Sequence, residues 1–194
     1  MIDSINPQLP YIPPKPKNDN SKKFVVSEVP YDDDIYNYRA FTAYSTETNK
    51  SCGIMLCRPS IIIKGDNVVR SMQIGELYAT SNQKGAGTAL LDYARALSKT
   101  EHCVGIHLVA SGCYSPEKVP HLFYRKYGMN TGDKKLDKKM DKFIKRGKKA
   151  THMDFDNVLM YFPPVEYPKK NTIWRKLFRC LNNIFATSKK CVAR

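Results

Sequence analysis

The chain has 194 residues, 42% of them hydrophobic, and a formal net charge of +14. This length suits one packed domain with tails, and no apolar run reaches the roughly 20 residues of a membrane-spanning helix. The start MIDSINPQLP lacks the charged residues and the apolar stretch of a secretory signal. The six cysteines form no Cys-x-x-Cys pair and the four histidines add no zinc-type spacing, which favours free thiols in a reducing compartment and supports no metal. We therefore expect a cytoplasmic protein, with attachment at a membrane surface left open.

The N-terminal part is predicted to be an arm followed by antiparallel strands. Residues 1–23 contain five prolines among Asn, Lys and Ser, and proline at this density favours an extended, disordered segment. Thr46–Ser51 is a predicted hairpin loop. The predicted strands are Phe24–Val29, Tyr38–Tyr44 and Gly53–Cys57, followed by a short hairpin of Ile61–Ile63 and Val68–Val69.

The segment from Met72 to Leu97 is predicted to form a strand, a tight loop and a helix. Apolar residues of the predicted strand end at Leu77 and Tyr78, and Gly85-Ala86-Gly87 turns the chain. Apolar residues then recur at helical spacing up to Leu97. A helix start leaves N–H groups without partners at the positive end of the dipole, which suits a phosphate. The chain lacks the Gly-x-x-x-x-Gly-Lys-Ser/Thr loop of ATPases, and Leu90 stands where a dinucleotide fingerprint needs glycine.

A second apolar run follows the helix, at Val104–Ala110, and then a short helix with the sequence Phe123-Tyr-Arg-Lys-Tyr-Gly-Met129. Tyr124 stands four residues before Gly128. This order of motifs resembles the GNAT superfamily of N-acetyltransferases over about residues 35–162. The family has a Gln/Arg-x-x-Gly-x-Gly/Ala loop and a helix ending in Leu-Tyr-x-Lys-x-Gly-Phe; here Asn82 takes the place of the Gln or Arg, and Met129 that of the aromatic residue.

The resemblance implies an α+β fold, with a mixed, mostly antiparallel central sheet flanked by helices, and an acetyl-CoA-dependent N-acetyltransferase. It also implies that loop N–H groups hold the pyrophosphate of acetyl-CoA, with Lys84 adding charge. The end of the preceding strand would pair with the pantetheine arm or the thioester carbonyl. The cofactor-binding residues expected on this basis are Leu77, Tyr78, Ala79, Asn82, Gln83, Lys84, Gly85, Ala86, Gly87 and Thr88.

The resemblance further implies catalytic roles for two residues. Tyr124 would act as general acid and protonate the departing CoA thiolate, although it could also be a packing tyrosine. Glu76 would act as the base for the acceptor amine if it faces the substrate, and His107 is the alternative base. The acceptor is open: a protein amine, a small molecule and an aminoacyl group on RNA all remain.

The positive charge is concentrated in two segments. Residues 134–149 hold nine Lys or Arg and two Asp, and residues 169–194 hold eight Lys or Arg and no acid. Both have apolar residues at helical spacing, which predicts amphipathic helices. Each could be a solvated face, a contact for RNA or, for the second, a membrane-surface helix. The predicted organisation is an arm at 1–23, a domain at 24–165 with a basic helix inserted at about 133–149, and a basic tail at 166–194. The alternative function is a non-catalytic GNAT-like module that holds an anionic partner, RNA or a membrane surface.

Overall fold

Alternating apolar residues and turn-forming residues divide the chain into strands and helices much as the sequence predicts. The structure is a computed structural model, and it describes residues 23–32, 35–64, 67–80, 83–111, 119–151 and 153–164. The elements in these residues are β1 (Phe24–Val29), β2 (Arg39–Ser45), β3 (Ser51–Lys64), β4 (Asn67–Ala79), α1 (Ala86–Thr100), β5 (Ile106–Ala110), α2 (His121–Tyr127), α3 (Lys134–Lys145) and β6 (Val158–Phe162).

The strands form a six-stranded mixed sheet in the order β1-β2-β3-β4-β5-β6. Antiparallel pairs join β1 to β2, β2 to β3 and β5 to β6. β4 and β5 run parallel and pair through Met72–Ile74 and Ile106–Leu108. The predicted α+β class with a mixed, mostly antiparallel sheet is therefore confirmed.

Two strands differ from their predictions. Val68–Val69 and the strand predicted from Met72 are one continuous strand, β4, which runs from Asn67 to Ala79. Gly53–Cys57 and Ile61–Ile63 are predicted as separate strands, but β3 runs without interruption from Ser51 to Lys64. The predicted break falls at Arg58-Pro59-Ser60, where the Arg58 Nε donates to Gln73 Oε1 of β4 at 3.2 Å. Proline removes one ladder donor but is compatible with extended backbone.

The chain divides into two compact units, and β3, β4 and α1 run through both. The first unit comprises Met1–Cys57 and Glu76–Tyr93. Its core brings residues of β2 and β3 against the first half of α1, with the rings of Phe41 and Tyr93 5.0 Å apart. The most buried side chains of this unit include Phe41, Met55, Leu90 and Leu91.

The second unit comprises Arg58–Gly75 and Ala94–Arg194. Its core is formed around β5 and β6, and the backbone of Asn130 pairs with Tyr161 at the outer edge of β6. The predicted inserted basic helix is present as α3. The predicted arm (apart from Lys23) and the basic tail lie outside the described residues, and the domain limits at 24 and 165 stay a prediction.

Candidate cofactor site

The end of β4 is fastened to β3 by two hydrogen bonds to one carbonyl. The N–H and the hydroxyl of Thr80 both donate to the Cys52 carbonyl, at 2.9 and 3.1 Å. The β2–β3 register shifts between Ala43 and Tyr44, which leaves Cys52 as the extra residue of a β-bulge. The two bonds from Thr80 to Cys52 thus hold the start of the loop against β3 at this bulge.

Gly53, beside this bulge, lets the end of β4 approach closely. A methyl group on Gly53 would lie 2.6 Å from the Tyr78 carbonyl oxygen, 3.1 Å from Ala79 Cα and 3.3 Å from Leu90 Cδ1. Any larger residue would displace backbone, since the nearest atom is a carbonyl oxygen. The prediction did not assign a role to Gly53, although a glycine inside a strand is itself a signal of close backbone approach.

The loop after β4 contains backbone hydrogen bonds between residues three apart in sequence and one glycine in a left-handed conformation. Gln83 N–H donates to the Thr80 carbonyl at 3.3 Å, and Ala86 N–H donates to the Gln83 carbonyl at 3.4 Å. Gly85 has φ of +108°, a value that residues with a side chain rarely adopt. Asn82, predicted to bind the cofactor, lies outside the described residues.

The N-terminus of α1 has the chemistry of an anion site. The first intrahelical bond runs from the Ala89 N–H to the Gly85 carbonyl at 2.9 Å. The N–H groups of Gly87 and Thr88 precede this bond in the helix, whereas the Ala86 N–H donates to Gln83. The first turn carries no acid, and Gly85 has no side chain with which to cap the helix. The exposed Lys84 adds positive charge next to the turn. Backbone donors, helix dipole and Lys84 together suit a phosphate or pyrophosphate.

Small residues in this turn also serve packing. Ala86 has no exposed surface and Gly87 is buried. The turn is therefore held against the core of its unit, which keeps the backbone donors in place. A turn packed against a core is the kind of structure in which donors are preorganised for a ligand.

The residues predicted at the strand end differ in exposure. Leu77 and Ala79 are half-buried, whereas Tyr78 is 66% exposed. Glu76 is exposed, so its carboxylate is accessible to solvent. β4 continues for five residues, Gly75–Ala79, beyond Ile74, which pairs with Leu108 of β5.

Tyr124 lies in the second unit, on α2, and its position is set by the way that helix ends. Gly128 has φ of +104°, and its N–H donates to the Arg125 carbonyl at 3.0 Å. The Met129 N–H donates to the Tyr124 carbonyl at 3.0 Å. These two bonds form a Schellman motif, in which glycine follows four residues after the tyrosine. The Tyr124–Gly128 spacing is thus explained in part by helix termination.

The Tyr124 side chain is only 6% exposed and packs against the Phe123 ring at 5.2 Å. Burial disfavours the charged phenolate and raises the pKa of Tyr124 to about 12. The phenol is therefore protonated at neutral pH. A protonated phenol can donate a hydrogen bond or a proton to a developing anion.

His107, the alternative base, has a structural environment. Ser71 Oγ donates to the Gly105 carbonyl at 3.2 Å, so it accepts a hydrogen bond from His107 Nδ1–H at 2.9 Å. The ring is 5% exposed, and burial lowers the pKa of His107 to about 4. A group with this pKa is a poor proton acceptor at neutral pH, so the geometry favours a packing role.

The structure thus brings most of the predicted cofactor residues together in one unit. Residues 76–79 and 83–88 lie in the first unit with Gly53 and Thr80, whereas Tyr124 and His107 lie in the second. In the described residues no helix is long and apolar enough to cross a membrane. The same residues contain no cluster of three or more His, Cys, Asp or Glu side chains that could hold a metal ion.

No protein-family model matches the chain, and no curated protein matches it significantly. Several solved structures are similar. The AtaT toxin, bound to the C-terminus of the antitoxin AtaR and acetyl-CoA, shares 11% identity at a TM-score of 0.42, covering 72% of this chain and 93% of that one. The NatC complex bound to Gag peptide and CoA shares 21% identity at a TM-score of 0.37, covering 47% and 57%.

A transcriptional regulator from Bacillus halodurans shares 17% identity at a TM-score of 0.40. The similarity covers 52% of this chain and 65% of that one, so the chain spans less than two thirds of the regulator's length. All three TM-scores lie below 0.5. We therefore base the functional proposal on the residues of this chain.

Proposed function

We propose that the chain is a GNAT-type N-acetyltransferase that moves an acetyl group from acetyl-CoA to an amine. The observation that carries the proposal is the N-terminus of α1, which is free of acids, preceded by Gly85 and placed directly after an anchored strand end. A cofactor bound through its phosphates at this turn would place its acyl group along the end of the strand before it. The motif resemblance supplies the reaction class.

The turn at residues 83–88 would hold the pyrophosphate of acetyl-CoA. Backbone N–H groups of Gly87 and Thr88 lie in the first helical turn, where the dipole favours negative charge. Lys84 is exposed beside them and would pair with a phosphate. The backbone of Leu77–Ala79 would bind the amide groups of the pantetheine arm and polarise the thioester carbonyl.

Acetyl-CoA would supply an activated acetyl group. The acceptor amine forms the new C–N bond with the acyl carbon as the C–S bond breaks, and the sulfur leaves with the electron pair. Tyr124 would give a proton to this sulfur, because its phenol is protonated at neutral pH. Glu76, which is exposed, would accept the proton that the amine loses, directly or through water. The acceptor class stays open among protein amines, small amines and aminoacyl-RNA.

The cofactor proposal is tested by isothermal titration of acetyl-CoA into the full chain. We expect saturable binding with a stoichiometry of one, displaced by free CoA. If the folded protein shows no saturable binding heat, released or absorbed, with acetyl-CoA at millimolar concentration, the proposal is overturned. If binding is found, release of free thiol in the presence of amine, peptide and aminoacyl-RNA acceptors identifies the acceptor class.

The acid role of Tyr124 is tested by Tyr124→Phe, with Tyr127→Phe on the same helix as the control. General acid catalysis contributes about 10²-fold or more, so we expect kcat to fall by about that factor in Tyr124→Phe. The Kd for acetyl-CoA should stay within about twofold. The Tyr127 hydroxyl oxygen accepts a hydrogen bond from Arg95 Nη1 at 3.4 Å, and removal of this hydroxyl should leave kcat unchanged. Equal rates for Tyr124→Phe and wild type would remove the acid role.

A further inference from the structure

The exposed side of α3 is a dense cationic surface. Nine basic residues between 134 and 149 are all exposed to solvent. Lys138, Lys142 and Lys145 lie at i, i+4 and i+7 and so share one face of the helix. We call the exposed basic residues of 134–149 the α3 cationic face. Its members are Lys134, Lys135, Lys138, Lys139, Lys142, Lys145, Arg146, Lys148 and Lys149.

The acids of this segment are bound to side chains outside the cationic face. Asp137 is only 1% exposed and accepts hydrogen bonds from the N–H and the hydroxyl of Thr131, both at 3.1 Å. Asp141 forms a bidentate pair with Arg125 at 2.8 and 2.9 Å, and this pair lowers the pKa of Asp141. Nine cations against these two acids leave residues 134–149 with seven positive charges in excess.

The apolar side of α3 is used within its own unit. Met140 has no exposed surface, and the Phe143 ring packs edge-on against Phe155 with centroids 5.5 Å apart. Leu136 and Ile144 are half-buried. A helix that attaches to a membrane inserts its apolar side between the lipids. In α3 that side packs within its own unit, so the surface presented to a partner is mainly charged.

Charge without apolar contact fits a phosphate backbone. The rise from Lys138 to Lys145 is about 10 Å, which is the axial length of about three successive phosphates on one nucleic-acid strand. Lysine acts as a point charge on phosphate and provides no bidentate fork for a base edge. Such a surface holds a nucleic acid through its backbone, independently of sequence.

We propose that the α3 cationic face binds the phosphate backbone of a nucleic acid without sequence preference. This interaction is separate from the cofactor turn, and it stands whether or not the chain transfers acetyl groups. Each lysine that contacts a phosphate releases a bound counterion, so affinity falls as salt rises. The number of contacts can therefore be measured from the salt dependence.

The test is fluorescence anisotropy of a labelled 20-nucleotide RNA hairpin with the full chain between 50 and 300 mM KCl. The test variant is Lys138→Gln, Lys142→Gln and Lys145→Gln together, since glutamine keeps the helix propensity of lysine. The control removes the same charge at three exposed positions elsewhere: Lys23→Gln, Lys50→Gln and Lys99→Gln. The C-terminal basic segment is unchanged in both.

We expect the test variant to bind RNA at least tenfold more weakly than the control at 100 mM KCl. Each lost phosphate contact reduces the slope of log K against log salt by about 0.7–0.9. Loss of three contacts should therefore make this slope shallower by about 2 to 3. Two RNAs of different sequence should give the same affinity. Circular dichroism and the melting temperature should match between the variants, and acetyl-CoA titration should be unaltered.

Two results would overturn the proposal. Equal RNA affinity of test and control variants would show that α3 is only a solvated face or that the charge elsewhere binds. Vesicles with 30% phosphatidylserine in phosphatidylcholine provide the second arm. Cosedimentation lost in the test variant alone, with RNA binding intact, would assign the face to anionic lipid.

Discussion

The two longer helices with described N-termini, α1 and α3, begin in opposite ways. At α3, Asp133 caps the helix: its carboxylate accepts from the Lys135 and Leu136 N–H groups, at 2.8 and 3.4 Å. At α1, the corresponding position is Gly85, which has no side chain, and the first turn holds no acid. At α3 an Asp side chain therefore accepts from two of the first N–H groups, whereas at α1 no acidic side chain does so.

The difference separates a structural helix start from one that suits a ligand. An Asp cap stabilises a helix by about 1 kcal/mol relative to alanine but by only a few tenths relative to glycine, so Gly85 at the start of α1 has a small stability cost. The same omission leaves donors and the positive end of the dipole for an anion. A carboxylate at α1 would compete with the phosphate, whereas at α3 it completes the turn. Three variants test this contrast.

The largest effect is expected from a carboxylate placed in the first turn of α1. Gly87→Glu introduces bulk and negative charge at the second residue of α1, where the phosphate would lie. We expect the affinity for acetyl-CoA, measured by titration calorimetry, to fall by 100-fold or more. Lys135→Glu is the matched control, since it puts the same side chain at the second residue of α3.

Lys135→Glu changes the net charge more than Gly87→Glu does, so general charge cannot explain a selective loss. We expect its acetyl-CoA affinity to equal that of the wild type. Because Gly87 is buried, the melting temperature of Gly87→Glu is measured alongside, and Gly87→Ala tests added bulk without charge. Wild-type affinity in a folded Gly87→Glu would show that the phosphate site is elsewhere.

A smaller effect is expected from the support beneath the turn. In Gly53→Ala the new methyl group would lie 2.6 Å from the Tyr78 carbonyl oxygen, so the end of β4 must shift. Overpacking of this kind costs about 1–3 kcal/mol, and we expect that loss in urea unfolding together with a weaker Kd for acetyl-CoA. Unchanged affinity despite the lost stability would separate Gly53 from the cofactor site.

The smallest effect is expected at α3. Asp133→Ala removes the side chain that caps the helix, and the free energy of unfolding should fall by about 1 kcal/mol in the same urea experiment. Acetyl-CoA binding should stay at the wild-type value. A change in cofactor affinity here as large as that of Gly53→Ala would erase the contrast between the two helix starts.

Much of the architecture could be predicted from local sequence pattern. The limits of β1 match the prediction, and α1 and α3 form where periodicity placed them. The helical ends at Gly85 and Gly128 were also predictable, because glycine is the residue that adopts positive φ without strain. The divisions of β3 and β4 were wrong, because extended backbone continues through Arg58-Pro59-Ser60 and through Arg70–Ser71.

The support of the candidate site was not predictable in the same way. Cys52 and Thr80 are 28 residues apart in sequence, and neither local sequence predicts the hydrogen bond between them. Gly53 carried a signal, a glycine within a strand, but its neighbours Tyr78 and Leu90 come from other elements.

Sequence alone determined the small-residue turn before α1, the tyrosine and glycine spacing of α2, and the number of cations in α3. These depend on backbone conformations and periodicities that extend over a few residues. Only the tertiary structure decided that Tyr124 is buried with a raised pKa, that His107 bonds Ser71, and that Asp137 and Asp141 bond Thr131 and Arg125. Burial and charge pairing depend on residues brought from distant parts of the chain, and so they arise when the chain folds.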